Sequence, residues 1–499
     1  MKKTVLILVV LALLVPAGAL AATEFSLGGY IKLDSFWDST QEAKNMSSTG
    51  IARNNDQLFQ HGRFNMTAQS TRFNFTIKGP KLWGATTTGL IEIDFDPTQD
   101  PRQSNTSSYS ARLRLAMFRL NWPETELMFG QYHTMFCEYS PEDAQDTPLN
   151  NHGMASGRVP QIRLTQKFAG DWTVAAAILK PYDPSTTDAA FDGQVLTAPG
   201  GAPVAPPAGV QSASVGLPGQ ASEIPHFDAK IAYEKDLWGK AAFFGRPRGF
   251  TAQVTAGWQQ IRYRANTAAQ AFGTFGQNAY STNTGFQRGQ QYLDPWMVQA
   301  NLFIPVLPTY SANLAGTASL SAQWFIGSGL NAFGEALDSD ASWFQFTGID
   351  PNGRIFFNRK LTNHFGGYLQ GQYYFTNQWF LNAAWGMQRS YGVETGTSAA
   401  LAGVQGANNP FGYVYATLND QTKLWQEFDL TLWYRPIEAL KFGLQYSYGR
   451  TDYLQKVNNP QSLTGVGPFA PGQVQGQPNA GAKDFGEAHR LQFVAFMFF

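Results

Sequence analysis

The chain has 499 residues with 36 basic and 36 acidic side chains; 14% of it is charged, 14% is aromatic, 49 residues are Gly and one is Cys. A soluble domain carries about 25% charged residues and a nucleic-acid binder shows a basic excess, so the composition argues against both. Cys137, the single cysteine, excludes an internal disulfide.

The chain opens on a leader. Lys2 and Lys3 form a basic n-region, 4–20 is an apolar h-region, and Ala19-Leu20-Ala21 is an A-x-A cleavage signal. Together these predict a secretory signal peptide over 1–21, with cleavage after Ala21 and Ala22 as the alternative. The competing reading, a retained anchor, lacks a stop-transfer pattern. Past the leader no run of about 18 apolar residues occurs, so no transmembrane helix is predicted.

The rest of the chain, 22–499, alternates apolar and polar residues over segments of about ten positions, the period of a transmembrane β-barrel. The first segment runs Phe25 to Trp37, with Ile31 and Leu33 on one face and Lys32 and Asp34 on the other. The second, 63–79, alternates Phe73, Phe75 and Ile77 with Arg72, Asn74, Thr76 and Lys78. In the third, 86–96, Ile91, Ile93 and Phe95 alternate with Glu92, Asp94 and Asp96. In the fourth, 110–121, Arg112 and Arg114 stand opposite Leu113, Leu115 and Met117. Further segments lie at 125–132, 158–168, 171–180, 225–236, 249–263, 293–304, 312–325, 363–375, 378–391, 422–435, 438–451 and 486–499.

The expected fold class is all-β: an antiparallel transmembrane barrel of sixteen strands, an even number as single-chain bacterial barrels require. Within 326–362, SWFQF and GRIFFN flank a turn-like stretch; if that hairpin crosses the membrane the count is eighteen. Connections alternate short and long, as they do when short turns face the periplasm and long loops face outward. Trp37, Trp83, Trp122, Trp172, Trp238, Trp296, Trp379 and Tyr434 sit near segment ends, where interfacial girdles form.

Function is expected on the inner faces. Arg72, Arg112, Arg114, Arg163 and Lys167 are candidate pore-lining cations, and Asp34, Glu92, Asp94 and Asp96 candidate pore-lining anions. Two readings stand: cross-strand ion pairs that stiffen the wall, or a transverse field that orders solutes. The third long loop, 133–157, carries Glu138, Glu142, Asp143 and Asp146 and is the candidate constriction. Phe499 closes an alternating final strand, the pattern that outer-membrane assembly machinery recognises. His133, His152 and Cys137 share the third loop, but no G-x-S-x-G, H-E-x-x-H or C-x-x-C-H motif is present. No enzyme activity, cofactor, metal or nucleic-acid partner is expected. The partners expected are outer-membrane lipid, the assembly machinery and small solutes.

GYIKLD (29–34), QSTRFNF (69–75), IEIDFD (91–96), ARLRLAMFRL (111–120), FGQYHTMF (129–136) and GRVPQIRLT (157–165) succeed one another in an order that resembles the DcaP-like porins. The stretch 428–450 is similar to their closing strands, whereas 181–360 shows only the general barrel pattern. The resemblance implies a homotrimeric outer-membrane porin passing small hydrophilic solutes, organic anions such as dicarboxylates among them. It carries Arg112, Arg114 and Arg163 over as lumen cations. Two features depart from the family: Tyr132-His133 stands where an aromatic-Ser pair is usual, and the third loop is acidic. The alternative function is a barrel acting as sheath or scaffold for another protein, such as a cytochrome, or as a structural or adhesive surface protein.

Overall fold

The structure is a computed structural model and describes residues 23–40, 51, 53–54, 61–95, 110–155, 157–181, 222–266, 288–334, 342–349, 355–392, 422–453 and 483–499. The predicted signal peptide lies outside these residues. The described residues form twenty-three strands, in chain order β1 (Glu24–Asp38), β2 (Arg63–Thr67), β3 (Arg72–Leu82), β4 (Ala85–Asp94), β5 (Arg112–Asn121), β6 (Thr125–His133), β7 (Arg158–Phe168), β8 (Trp172–Leu179), β9 (His226–Lys235), β10 (Ala241–Phe243), β11 (Arg246–Arg248) and β12 (Phe250–Trp258). They continue with β13 (Ile261–Asn266), β14 (Arg288–Leu293), β15 (Trp296–Leu307), β16 (Ala318–Ser328), β17 (Ser342–Ile349), β18 (Ile355–Leu361), β19 (Asn363–Tyr374), β20 (Trp379–Tyr391), β21 (Thr422–Ile437), β22 (Leu440–Tyr453) and β23 (Phe485–Phe498).

The wall is a closed antiparallel barrel. β2 and β3 together make one wall strand: Arg63–Thr67 pairs with the far half of β1 and Arg72–Lys78 with its near half. The ring then runs β4, β5, β6, β7, β8, β9, β12, β15, β16, β19, β20, β21, β22 and β23. It closes where β23 pairs with β1, from Tyr30 opposite Phe498 to Asp38 opposite Arg490. Closure leaves the wall without an edge strand among the described residues, as a sheet surrounded by lipid requires. Counting β2 with β3 as one, sixteen strands make the wall.

The 18-strand alternative is excluded. β17 and β18 pair only with each other among the described residues, and β16 pairs directly with β19 across the loop that carries them. Two other expectations shift. The segment 249–263 ends its wall section at Trp258, and β13 pairs instead with β14 in a hairpin beyond the wall. The segment placed at 312–325 begins only at Ala318, because 308–317 is a turn-end connection.

Alternation sets the two faces. Ile31, Leu33, Phe428, Leu430, Leu432, Leu491 and Phe493 are exposed on the outside, while Lys32, Asp34, Asp429, Thr431, Arg490 and Gln492 are buried inside. Apolar side chains outside and polar ones inside reverse the arrangement of a soluble protein and suit a lipid surround. Five tight connections, after Leu82, Asn121, Phe168, Tyr374 and Ile437, share one end of the barrel, here the turn end; the long connections share the other, the loop end. Trp83, Trp122, Trp172, Trp238, Trp379 and Tyr434 ring the turn end. Trp379 stacks on Tyr434 at 4.3 Å, Trp172 lies 4.9 Å from Tyr233, and the Trp122 indole donates to the Trp83 carbonyl at 3.0 Å. Trp37 and Trp296 stand at the loop end. An apolar band between two aromatic belts is the signature of a bilayer crossing.

Candidate pore constriction

Inside the wall, β3, β4 and β5 carry the predicted charges on one face. Arg112 forms a bidentate pair with Asp94 at 2.9 and 2.8 Å. Arg114 reaches Asp94 at 2.5 Å and Glu92 at 2.8 Å, and Arg72 lies 3.6 Å from Glu92. On β1 next door, Lys32 pairs with Asp34 at 2.9 Å. Asp96 lies outside the described residues. A bulge opposite Glu92 and Ile93 breaks the register of β5. Beyond it the inward parity changes: Leu115, expected outside, is buried, and Arg119 faces Glu126 at 3.3 Å and lies over the Tyr132 ring. On β7, Arg163 is buried and donates to Gln161 at 3.0 Å and to the His133 carbonyl. Lys167 has the same parity but sits exposed near the turn end, away from this network.

The third loop folds into the barrel and lies against the wall formed by β12 to β23 and β1. A buried irregular segment must find partners for its backbone, and wall amides supply them. Gln299 donates to the Phe136 carbonyl at 2.9 Å, Asn382 to Glu142 O at 2.7 Å, and Gln492 to Ala144 O at 3.2 Å. Gln445 accepts from the Ala144 N–H at 2.6 Å, and Lys32 Nζ donates to Ala144 O at 2.9 Å. Apolar contacts complete the seat: Phe136 and Ala155 pack with Met297, Phe325, Leu330 and Phe333. The thiol of Cys137 is tied to Gly157, whose N–H donates to it at 2.8 Å, and burial pushes its pKa up.

Three of the loop's four acidic residues are paired with wall cations. Glu138 accepts from Lys230 at 2.5 Å and lies 3.6 Å from Arg163. Glu142 pairs with Lys441 and accepts from Gln372 at 2.9 Å. Asp146 sits among Lys32, Arg114, Arg72 and Arg112; burial alone would raise its pKa, but these cations hold it below the usual carboxylate range. Asp143 has no such cation. Its carboxylate accepts from the Leu149 and Gln145 N–H groups at 2.7 and 3.0 Å, and burial, with the Glu427 charge, pushes its pKa up to about 7. The Gln145 amide bridges onward to Glu427 and Asp429. His152 donates through Nδ1 to the Leu149 carbonyl at 2.7 Å, with Glu427 Oε2 at 3.1 Å. Among the described residues no group of three His, Cys, Asp or Glu is disposed to hold a metal.

Solvent therefore reaches one arc of the interior. Arg72, Arg112, Arg119, Glu126 and Glu138 remain 20–28% exposed, whereas Gln299, Gln323, Asn382, Gln445 and Gln492 across the barrel are at most 1% exposed. The loop covers the amide-rich side and leaves the ion-pair side wet. The wall amides were not foreseen; their signal is Gln or Asn recurring at inward positions of β12, β15, β16, β19, β20, β22 and β23. Also unforeseen is the connection 236–249, whose small hairpin β10–β11 enters the barrel from the turn end: the Ser319 hydroxyl on the inner face of β16 donates to Ala242 O at 2.9 Å. Phe499 is seated at the closure, exchanging backbone hydrogen bonds of 3.2 Å with Gly29, its ring 5.8 Å from that of Phe73.

No protein-family model and no curated protein matches the chain. Among solved structures it is similar to Pseudomonas putida OprB, with 9% identity and TM-score 0.47 over 95% of this chain and 94% of that one. It is similar to the trimer form of OmpT, an outer membrane protein of Vibrio cholerae, with 11% identity and TM-score 0.42 over 96% and 100%. To the outer membrane channel DcaP of Acinetobacter baumannii it is similar with 14% identity and TM-score 0.56, over 96% of this chain and 99% of that one. The last likeness is one of fold: this chain is built on the same barrel architecture as DcaP.

Proposed function

We propose that this chain is an outer-membrane porin, a water-filled diffusion channel for small hydrophilic solutes. The observation that carries the reading is the asymmetric interior: a loop folded into a closed transmembrane barrel and seated on one side, with hydrated ion pairs along the other. A loop so placed narrows the path and sets a size limit, and the remaining wall sets the field a solute meets. A barrel half filled by its own chain suits solutes better than it suits a sheath around another protein. Homotrimer formation, removal of residues 1–21 on export and recognition of the Phe499 strand by the assembly machinery belong to the same reading.

Selectivity on this reading is weak. Arg112, Arg114 and Arg163 each face a carboxylate, and the loop acids Glu138, Glu142 and Asp146 each face a wall cation. Paired charges orient a dipolar solute more than they select for one sign. Dicarboxylates enter as a substrate class through the DcaP-like resemblance and through the exposed edges of Arg72 and Arg112. The test is purified protein in planar bilayers: stable conductance steps are expected, and a folded barrel without steps overturns the reading. Liposome swelling with sugars, amino acids and dicarboxylates then ranks solutes. Replacing Arg112, Arg114 and Arg163 by Gln is expected to move the reversal potential toward cations; no movement would leave these residues as wall braces only.

A further inference from the structure

Five turn-end connections of this barrel are tight, but 308–317 is longer and the connection 236–249 longer still; the last is unlike the others. It carries Ala241-Ala242-Phe243-Phe244, a run that would be costly to leave in water at the mouth of a channel. Ala241 and Ala242 are instead fully buried inside the barrel and Phe243 half-buried, while Phe244 stays exposed. Ala242 belongs to a buried apolar cluster that includes Leu314 of the neighbouring turn-end connection, Tyr374, Phe380, Trp433 and Val494 of the wall, and Ala144 of the third loop. Ala241 packs with Phe303 and with Tyr139 of the same loop. The base of the hairpin is fixed as well. Lys240 and Thr309 exchange backbone hydrogen bonds of 2.9 and 2.7 Å, and the Trp238 indole donates to Pro305 O at 2.8 Å.

Arg248 joins the two insertions. Its guanidinium lies 4.7 Å from the Tyr139 ring centre and 4.6 Å from that of Phe243, and Nη2 donates to the Tyr139 hydroxyl at 2.8 Å. Nε donates to Thr251 Oγ1 at 3.1 Å, anchoring the same side chain to the wall. A guanidinium packed over two adjoining rings and bonded on two sides is a rigid strut.

We infer that the β10–β11 hairpin is a second constriction element, which enters from the turn end, meets the third loop inside the barrel and braces it through Arg248 and Tyr139. The narrowest cross-section is then set jointly by a loop from one end and a hairpin from the other. This rests on the porin reading, and the two fail differently. If the unaltered protein gives no conductance steps, the porin reading falls. If it conducts, the hairpin is tested alone.

Lys235 and Phe250 are already paired across the base, so residues 236–249 can be replaced by an Asn-Gly turn that preserves the wall register. Single-channel conductance is expected to rise about twofold or more, with larger sugars admitted in swelling assays, because selectivity of this kind depends on pore diameter. Arg248→Ala and Tyr139→Phe test the strut in a chain of native length. Arg248→Ala is expected to add open-channel noise and partial closures as the loop loses its brace; Tyr139→Phe, which keeps the ring and loses the hydroxyl, is expected to do so less. Unchanged conductance and size limit in the turn variant, or a quiet trace in Arg248→Ala matching the unaltered protein, would overturn the inference.

Discussion

At Gly386 on the inner face of β20, an added Cβ would lie 2.1 Å from the carbonyl oxygen of His152. The loop backbone rests directly on the wall there, and no side chain is small enough to share the space. Gly386→Ala must therefore lift the loop or shift the strand; overpacking of this kind costs about 1–3 kcal/mol. A lower unfolding midpoint together with a changed conductance is expected, and a native-like channel would mean that the loop is not seated at His152. Arg114 is the complementary case, a buried cation shared by two carboxylates, whose loss leaves Asp94 to Arg112 alone and Glu92 to Arg72 at 3.6 Å. Asp94 is fully buried and keeps its bidentate pair with Arg112, so the loss is of one of its two cations, and removing one partner of a buried polar group costs about 1–3 kcal/mol. Arg114→Gln is thus expected to destabilise the barrel more than Arg119→Gln, whose pair with Glu126 is 26–28% exposed; equal midpoints would sink this ranking. Arg112, Arg114 and Arg163 were legible from alternation alone, because a charge has only one tolerable face in a lipid-bound strand. The wall glutamines were not legible as a seat. An amide at an inward position fits water, solute or backbone equally well, and only the folded loop shows which.

The third loop is held by contacts of unequal pH sensitivity. Glu138, Glu142 and Asp146 sit opposite cations, while Asp143 sits buried near the Glu427 charge and is offset by the Leu149 and Gln145 N–H groups and a side-chain hydrogen bond with Asp429. Its carboxyl titrates near 7 when docked, against an ordinary value of 3.8 when free in water. Over that interval the docked loop holds a proton that the undocked loop releases, so docking is favoured at low pH and weakens as pH rises. The contribution is whole below about pH 4 and is lost through about pH 7. Channel closures and open-channel noise are expected to change between about pH 5 and about pH 8, and Asp143→Asn, which mimics the protonated form, to flatten that dependence. An identical pH profile in the variant would remove Asp143 from the account. At this scale the sequence was least legible. The loop's acidity suggested a charged pore lining, yet its carboxylates turn to the wall, because pairing in three dimensions cannot be read from spacing along a loop. The connection 236–249 was illegible because its strands are only three residues long, too short to register as alternation. The break between β2 and β3 and the bulge in β5 were illegible for a related reason, since one inserted residue changes the face of every later position in the strand.

For the whole molecule, all sixteen wall strands were legible in the sequence, since lipid outside and water inside impose a period of two on every crossing. The same argument makes the outer face testable by depth. Leu430 is exposed on the outside near the middle of β21, between Ala383 of β20 and Tyr446 of β22, while Ile437 is exposed at the turn end of the same strand, beyond the Trp379–Tyr434 stack. An arginine on a lipid face costs about 2–4 kcal/mol at the bilayer midplane and about 0–1 kcal/mol near the interface. Leu430→Arg is therefore expected to lower folding stability in lipid vesicles by the larger amount and Ile437→Arg by the smaller. The contrast depends on β21 facing lipid along its whole length. If both variants cost the same small amount, the apolar band at β21 does not lie in the hydrocarbon core. If both cost several kcal/mol, this face is packed against protein along its length. A steep difference between two positions on one strand is what a single barrel standing in a bilayer requires.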